Sequence, residues 1–168
     1  MKIPGTFVDN KTINVIIETP AGSRNKYTFD PEHKFFQLKK VLPKGTFFPL
    51  DFGFIPNTLG EDGDPLDALL LLDQPAFTGC VVQCRVLGVL EIKQRERNKE
   101  WIRNDRFIVV PKVSLTHSKL KKIEDLGELW LNDLINFFNY YKEMEGSELK
   151  FLKLNSSKNA LKMIKKHL

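Results

Sequence analysis

The chain has 168 residues, 42% hydrophobic and 28% charged, which suits one domain, 1–168, with a sizeable core. No apolar run approaches the roughly 18–20 residues of a membrane span, and the start, Met1-Lys2-Ile3-Pro4-Gly5, lacks a secretory apolar segment, so no membrane partner and a cytoplasmic location are expected. The net charge of +5 invites acidic partners, but solvated surface lysine is the commoner cause of such a charge, and no nucleic-acid partner is expected.

Residues 12–18 alternate, with Ile13, Val15 and Ile17 on one side and Thr12, Asn14, Ile16 and Glu18 on the other, which predicts a strand. Pro20-Ala21-Gly22-Ser23 breaks it. Lys26 to Phe29 reads as a returning strand ended by Asp30-Pro31, and Phe35 to Leu38 as a third. Pro43-Lys44-Gly45 is a turn, followed by an aromatic-rich segment from Phe47 to Ile55. Asp67 to Leu72 predicts a buried strand and Cys80 to about Ile92 a long one. Cys80 and Cys84 lie about 13 Å apart along an extended strand, too far for a disulfide, and read as reduced thiols packed in a core. Lys93 to Lys99 reads as a charged hairpin loop, and Trp101 to Val110 as the return strand stopped by Pro111.

The period then changes. Leu126, Leu129, Trp130, Leu134, Phe137, Phe138 and Tyr141 recur at threes and fours, predicting a helix from about Asp125, its N-cap, to Met144, ended by Gly146. A short strand over Lys150 to Lys153 and a last helix from near Ser157 to Lys166 complete the chain. Many short strands with late helices predict a mainly β fold with helices (α+β), a small β-barrel with helices packed outside.

The run Asp62-Gly63-Asp64-Pro65-Leu66-Asp67 carries the chemistry: three carboxylates within six residues lead into the apolar Ala68-Leu69-Leu70-Leu71-Leu72. Carboxylates at that density repel one another and lose hydration, so a cation is the usual remedy, and all-oxygen donors favour Mg²⁺ before Ca²⁺. Taken alone the run is also a solvated turn, and Tyr141-Lys142 alone is a helix end.

The stretch from Ile16 to Leu72 resembles the family I (soluble) inorganic pyrophosphatases. The matching residues are Glu18 in Ile16-Ile17-Glu18-Thr19-Pro20-Ala21, Lys26-Tyr27, Phe48-Pro49, Phe52 to Thr58 and the Asp62–Asp67 run. Val89-Leu90, Val110-Pro111 and Phe137 to Lys142 follow in the same order. The resemblance implies a five-stranded OB-like barrel flanked by two helices of the C-terminal half, and a homo-oligomer, hexameric in many bacteria. It also implies hydrolysis of pyrophosphate to two phosphates with Mg²⁺ (Mn²⁺ as a substitute). By that resemblance Glu18, Asp62 and Asp67 hold metal, Asp64 takes the proton of the attacking water, and Lys26, Lys40, Arg106, Tyr141 and Lys142 grip phosphate oxygens.

Several positions depart from the family pattern. A glutamate becomes Thr28, an arginine becomes Lys40, and two tyrosines become Phe48 and Phe52. Counting back from Val110-Pro111, the family lysine falls on Arg106 and two metal-binding aspartates on Asn104 and near Gln94. Asp105, Glu96 or Glu100 are the candidate replacements. Without them the pattern implies reduced activity, or a non-catalytic relative that binds pyrophosphate, polyphosphate or a nucleotide.

Overall fold

The computed structural model describes residues 3–168. Nine strands precede or separate two α-helices: β1 (Thr12–Thr19), β2 (Asn25–Asp30), β3 (Phe35–Val41), β4 (Asp51–Phe54), β5 (Asp67–Leu70), β6 (Val81–Glu96), β7 (Ile102–Arg103), β8 (Arg106–Pro111), α1 (Glu128–Met144), β9 (Ser147–Ser156) and α2 (Ser157–Lys166). The pairings run β1–β4–β5–β8–β6 and return from β6 to β1, so five strands close a ring, and β2–β3 form a separate hairpin. This is the expected mainly β, OB-like arrangement with two helices.

Both faces of β1, β4 and β8, and of β5 after Asp67, are buried. Ala68, Leu70, Phe107 and Val109 join one cluster with Ala160 and Ile164 of α2. Their neighbours Leu69, Leu71, Ile108 and Val110 join another with Leu134, Phe138 and Tyr141 of α1. Alternate side chains point to opposite faces, so a strand covered on both sides must be apolar throughout, which explains the unbroken run after Asp67. No helix among the described residues is long and apolar enough to cross a membrane.

Four details differ from the sequence reading. The charged segment after Ile92 is not a loop at first: β6 continues to Glu96, pairing with β7 and with β9, itself ten residues long. The return strand is interrupted at Asn104-Asp105. Asp125 does not cap α1; its carboxylate accepts the Lys121 and Lys122 backbone N–H groups at 2.9 and 3.2 Å within a 3₁₀ turn, and α1 begins only after Gly127. Cys84 is buried as expected, but Cys80 is only half-buried and precedes the strand.

Candidate active site

Glu18 owes its position to an irregularity. Ile17 pairs with Gly53 and Thr19 with Phe52, so Glu18 is an extra residue on β1 and its side chain is re-aimed by the bulge. The approach of β1 to β4 requires glycine at 53, because a Cβ there would stand 2.3 Å from the Ile16 carbonyl oxygen. Glu18 is buried, accepts the Phe29 N–H at 2.8 Å and pairs with Lys26 at 3.2 Å. Burial holds its carboxyl above the ordinary range despite Lys26.

Lys26 stands directly opposite Lys40 in the β2–β3 ladder. Like charges facing each other on a sheet repel, so the pair marks a place prepared for an anion. The Lys26 ammonium lies 3.8 Å from the centre of the Phe52 ring. Lys40 and Lys142 both contact Glu145, the latter at 3.0 Å. Glu145 was not recognised in the sequence, although its place three residues after Lys142, at the C-cap of α1, was the available signal. Burial first, then Arg106 and Lys26, draw the Lys142 ammonium down to about 8. Burial and then Lys142 and Lys26 bring Lys40 to about 8 as well. Burial also raises the Tyr141 hydroxyl above its ordinary range.

The acidic loop is held from below. Buried Thr58 donates to the Ile55 carbonyl at 2.7 Å and accepts the Leu66 N–H at 3.0 Å. Gly63 adopts φ 87°, a left-handed conformation that glycine takes without strain. Asp62 accepts the Asp64 N–H at 3.3 Å, which turns the loop over itself. Burial, and then the charges of Asp67 and Asp64, hold Asp62 above the usual carboxylate range. Asp64 is exposed, and its carboxylate makes no hydrogen bond or ion pair among the described residues.

Asp67 opens β5 opposite Arg106 of β8 in the parallel ladder, and the two side chains form an ion pair. Glu18, Lys26, Lys40, Asp62, Asp64, Asp67, Arg106, Tyr141 and Lys142 all line one cleft of about 1050 Å³. The nine residues given roles from sequence therefore share one cleft, whereas Asp105, a candidate replacement ligand, does not line it.

The chain matches the family model for inorganic pyrophosphatase over residues 15–168. It belongs to the inorganic pyrophosphatase family. It is 43% identical over 133 residues to an inorganic pyrophosphatase of Synechocystis sp., covering 79% of this chain and 76% of the relative. It is 35% identical over 156 residues to that of Geobacillus stearothermophilus, covering 93% and 92%. The crystal structure of the Thermus thermophilus inorganic pyrophosphatase superposes with a TM-score of 0.88 at 33% identity, covering 99% of this chain and 94% of the other.

Family I pyrophosphatases depend on metal, and the donors in this cleft fall into two unequal halves. Asp62, Asp64 and Asp67 offer hard oxygens that fit a dication such as Mg²⁺. Their mutual repulsion, felt at Asp62, is what a cation relieves. Beside Asp67, Arg106 and the neutral amides Gln94 and Asn104 line the same cleft, and amides next to a guanidinium do not fit a second dication. Among the described residues, no three His, Cys, Asp or Glu side chains converge into a ready metal cluster. Asp105 supplies no replacement: it accepts the Ile92 N–H at 2.8 Å and pairs with Arg103 at 2.8 Å, lining a separate pocket of about 430 Å³. Glu96 and Glu100 do reach the cleft's lining, and Glu96 pairs there with Lys99. Phe48 and Phe52 pack as apolar walls, Phe48 with its ring centre 5.5 Å from that of Tyr141.

Proposed function

We propose that the protein hydrolyses inorganic pyrophosphate to two phosphates with Mg²⁺, for which Mn²⁺ substitutes. The observation that carries this reading is that Asp62, Asp64 and Asp67 line the same cleft as Lys26, Arg106 and Lys142 in a chain of this family. Lys26, Arg106 and Lys142 hold phosphate oxygens by charge-assisted bonds, with Lys40 behind them. Tyr141, kept protonated by burial, donates to a phosphate oxygen. Asp62, Asp67 and Glu18 would hold the dication, which would supply charge neutralisation and acidify a water. Asp64, exposed and unpaired, is the base for the proton of the attacking water. A cytoplasmic homo-oligomer, hexameric by family resemblance, completes the proposal. Its support is the exposed apolar side chains Phe77, Val113, Leu115 and Leu129.

The direct test is phosphate release from pyrophosphate with Mg²⁺ or Mn²⁺. Turnover by the wild type above an Asp64→Asn control is the expected result, and its absence rejects the reading. The Asp67–Arg106 pair and the amides at 94 and 104 favour a second reading, a non-catalytic binder of pyrophosphate, polyphosphate or a nucleotide. Calorimetry showing tight anion binding without turnover would select it.

The lowered Lys142 has a pH signature. Its ammonium loses charge as pH climbs through about 8, so KM for pyrophosphate rises from pH 7 to 9.5, with Lys40 titrating in the same window. Lys142→Met raises KM at pH 7 and flattens that rise. Stability moves the other way. The folded-state value lies below the unfolded one, so between about 8 and 10.5 the unfolded chain binds more protons, and this group's contribution to stability increases with pH. A KM that stays level to pH 9.5 in the wild type rules the assignment out.

A further inference from the structure

Arg106 is built into the cleft wall more firmly than a residue that only meets substrate needs to be. It is 3% exposed. Its Nη1 donates to the Asn104 carbonyl at 2.9 Å, contacts the Asn104 side-chain oxygen, and pairs with the Asp67 carboxylate. The guanidinium carbon lies 5.6 Å from the centres of both the Phe52 and Phe138 rings, so two aromatic walls confine it. Its Nε–H is buried with no acceptor, and the Gln94 side-chain oxygen is buried with no donor. The wall that Arg106 occupies thus has a fixed positive charge, two neutral amides and unmet hydrogen-bonding capacity. The nearest carboxylate in sequence to Gln94, Glu96, is paired with Lys99, and Asp67 is paired with Arg106 itself.

We propose that Arg106 is a built-in cation standing in for a metal ion at Asp67. It closes the metal-free site by neutralising that carboxylate, and a dication must compete with it to reach Asp67. A guanidinium keeps its charge at any working pH, so it neutralises the Asp67 carboxylate throughout the range in which a dication would bind. A dication bound to Asp67 would stand within about 2–3 Å of its oxygen and be repelled by a guanidinium held against the same group. The two occupants therefore exclude each other. On the Gln94–Asn104 side, the charge that balances an anionic substrate comes from the chain rather than from solution.

This inference rests on the pyrophosphatase reading for the nature of the bound anion, and its test reads metal affinity rather than turnover. Mn²⁺ is titrated calorimetrically, without substrate, into the wild type, Arg106→Met and Arg106→Lys. Removing the guanidinium leaves the Asp67 carboxylate unpaired and takes away a positive charge beside it, so Arg106→Met is expected to bind Mn²⁺ at least about tenfold more tightly than the wild type. Arg106→Lys, which keeps the charge and guards against misfolding, falls between them. If Arg106→Met does not fold, Arg106→Lys alone decides. Mn²⁺ affinity no higher than wild type in the folded variants overturns the proposal. Wild-type turnover with unchanged Mn²⁺ affinity would overturn this inference alone, and tighter Mn²⁺ binding in a wild type that releases no phosphate would overturn only the pyrophosphatase reading.

Discussion

Asp64→Asn is expected to lower phosphate release from pyrophosphate by about 10²–10⁴-fold, the usual contribution of a positioned general base. The substitution keeps shape and hydrogen-bonding capacity and removes only basicity. Asp64 is exposed, and its carboxylate supports no other group. The loop depends instead on the Asp64 backbone, whose carbonyl accepts the Gly60 N–H at 2.7 Å and whose N–H reaches Asp62. Stability should therefore stay within about 0.5 kcal/mol of wild type. Asp62→Asn is the useful contrast. Asp62 is partly buried and crowded by two carboxylates, so losing its charge weakens metal binding and relieves repulsion together. The Asp64 variant should lose kcat at unchanged Mn²⁺ affinity, and the Asp62 variant should lose Mn²⁺ affinity. Equal turnover in Asp64→Asn and wild type would remove Asp64 from the chemistry.

The sequence made the acidic loop legible because its information is local: three aspartates and a glycine within six residues lead directly into a strand. Strand positions were readable for the same reason, from period-two alternation and apolar runs. What escaped was set by tertiary pairing. The β1 bulge that re-aims Glu18 exists only in the register against Gly53 and Phe52. The extension of β6 through Gln94, Arg95 and Glu96 looks like a loop by composition, yet β9 and β7 supply its hydrogen bonds. The break at Asn104-Asp105 arises because the Asp105 carboxylate caps the Ile92 N–H from the neighbouring strand, a contact thirteen residues distant. Asp105 lines the other pocket, the side that strand alternation gives to a residue adjacent to Arg106. The Arg106–Asp67 pair depends on a parallel β5–β8 register that no local pattern encodes.

Lys26→Met should leave a protein whose loss of stability depends on pH. In metal-free buffer Lys26 is the cation paired with Glu18, and both side chains are largely buried, 12% and 9% exposed. Removing one partner of a buried pair leaves an uncompensated charge and costs about 3–5 kcal/mol. Here the orphan is a carboxylate, which can escape by taking up a proton. Burial already raises Glu18 above its unfolded value, and Lys26 is the largest opposing influence. Without Lys26 the folded-state value climbs further. Between the unfolded value and that raised value the folded protein binds more protons than the unfolded chain, so stability falls as pH rises across the window. The difference in unfolding free energy between wild type and Lys26→Met should therefore be small near pH 4.5 and largest near pH 8, measured by urea denaturation with EDTA. Adding Glu18→Gln should restore most of the loss and abolish its pH dependence. The amide oxygen can still accept the Phe29 N–H, and neither member of the former pair then carries charge. A wild-type-to-variant difference that is the same at pH 4.5 and pH 8 would mean that Lys26 does not hold Glu18 ionised. The ion pair would then contribute little to stability, and the buried Glu18 carboxyl would not depend on Lys26 for its charge.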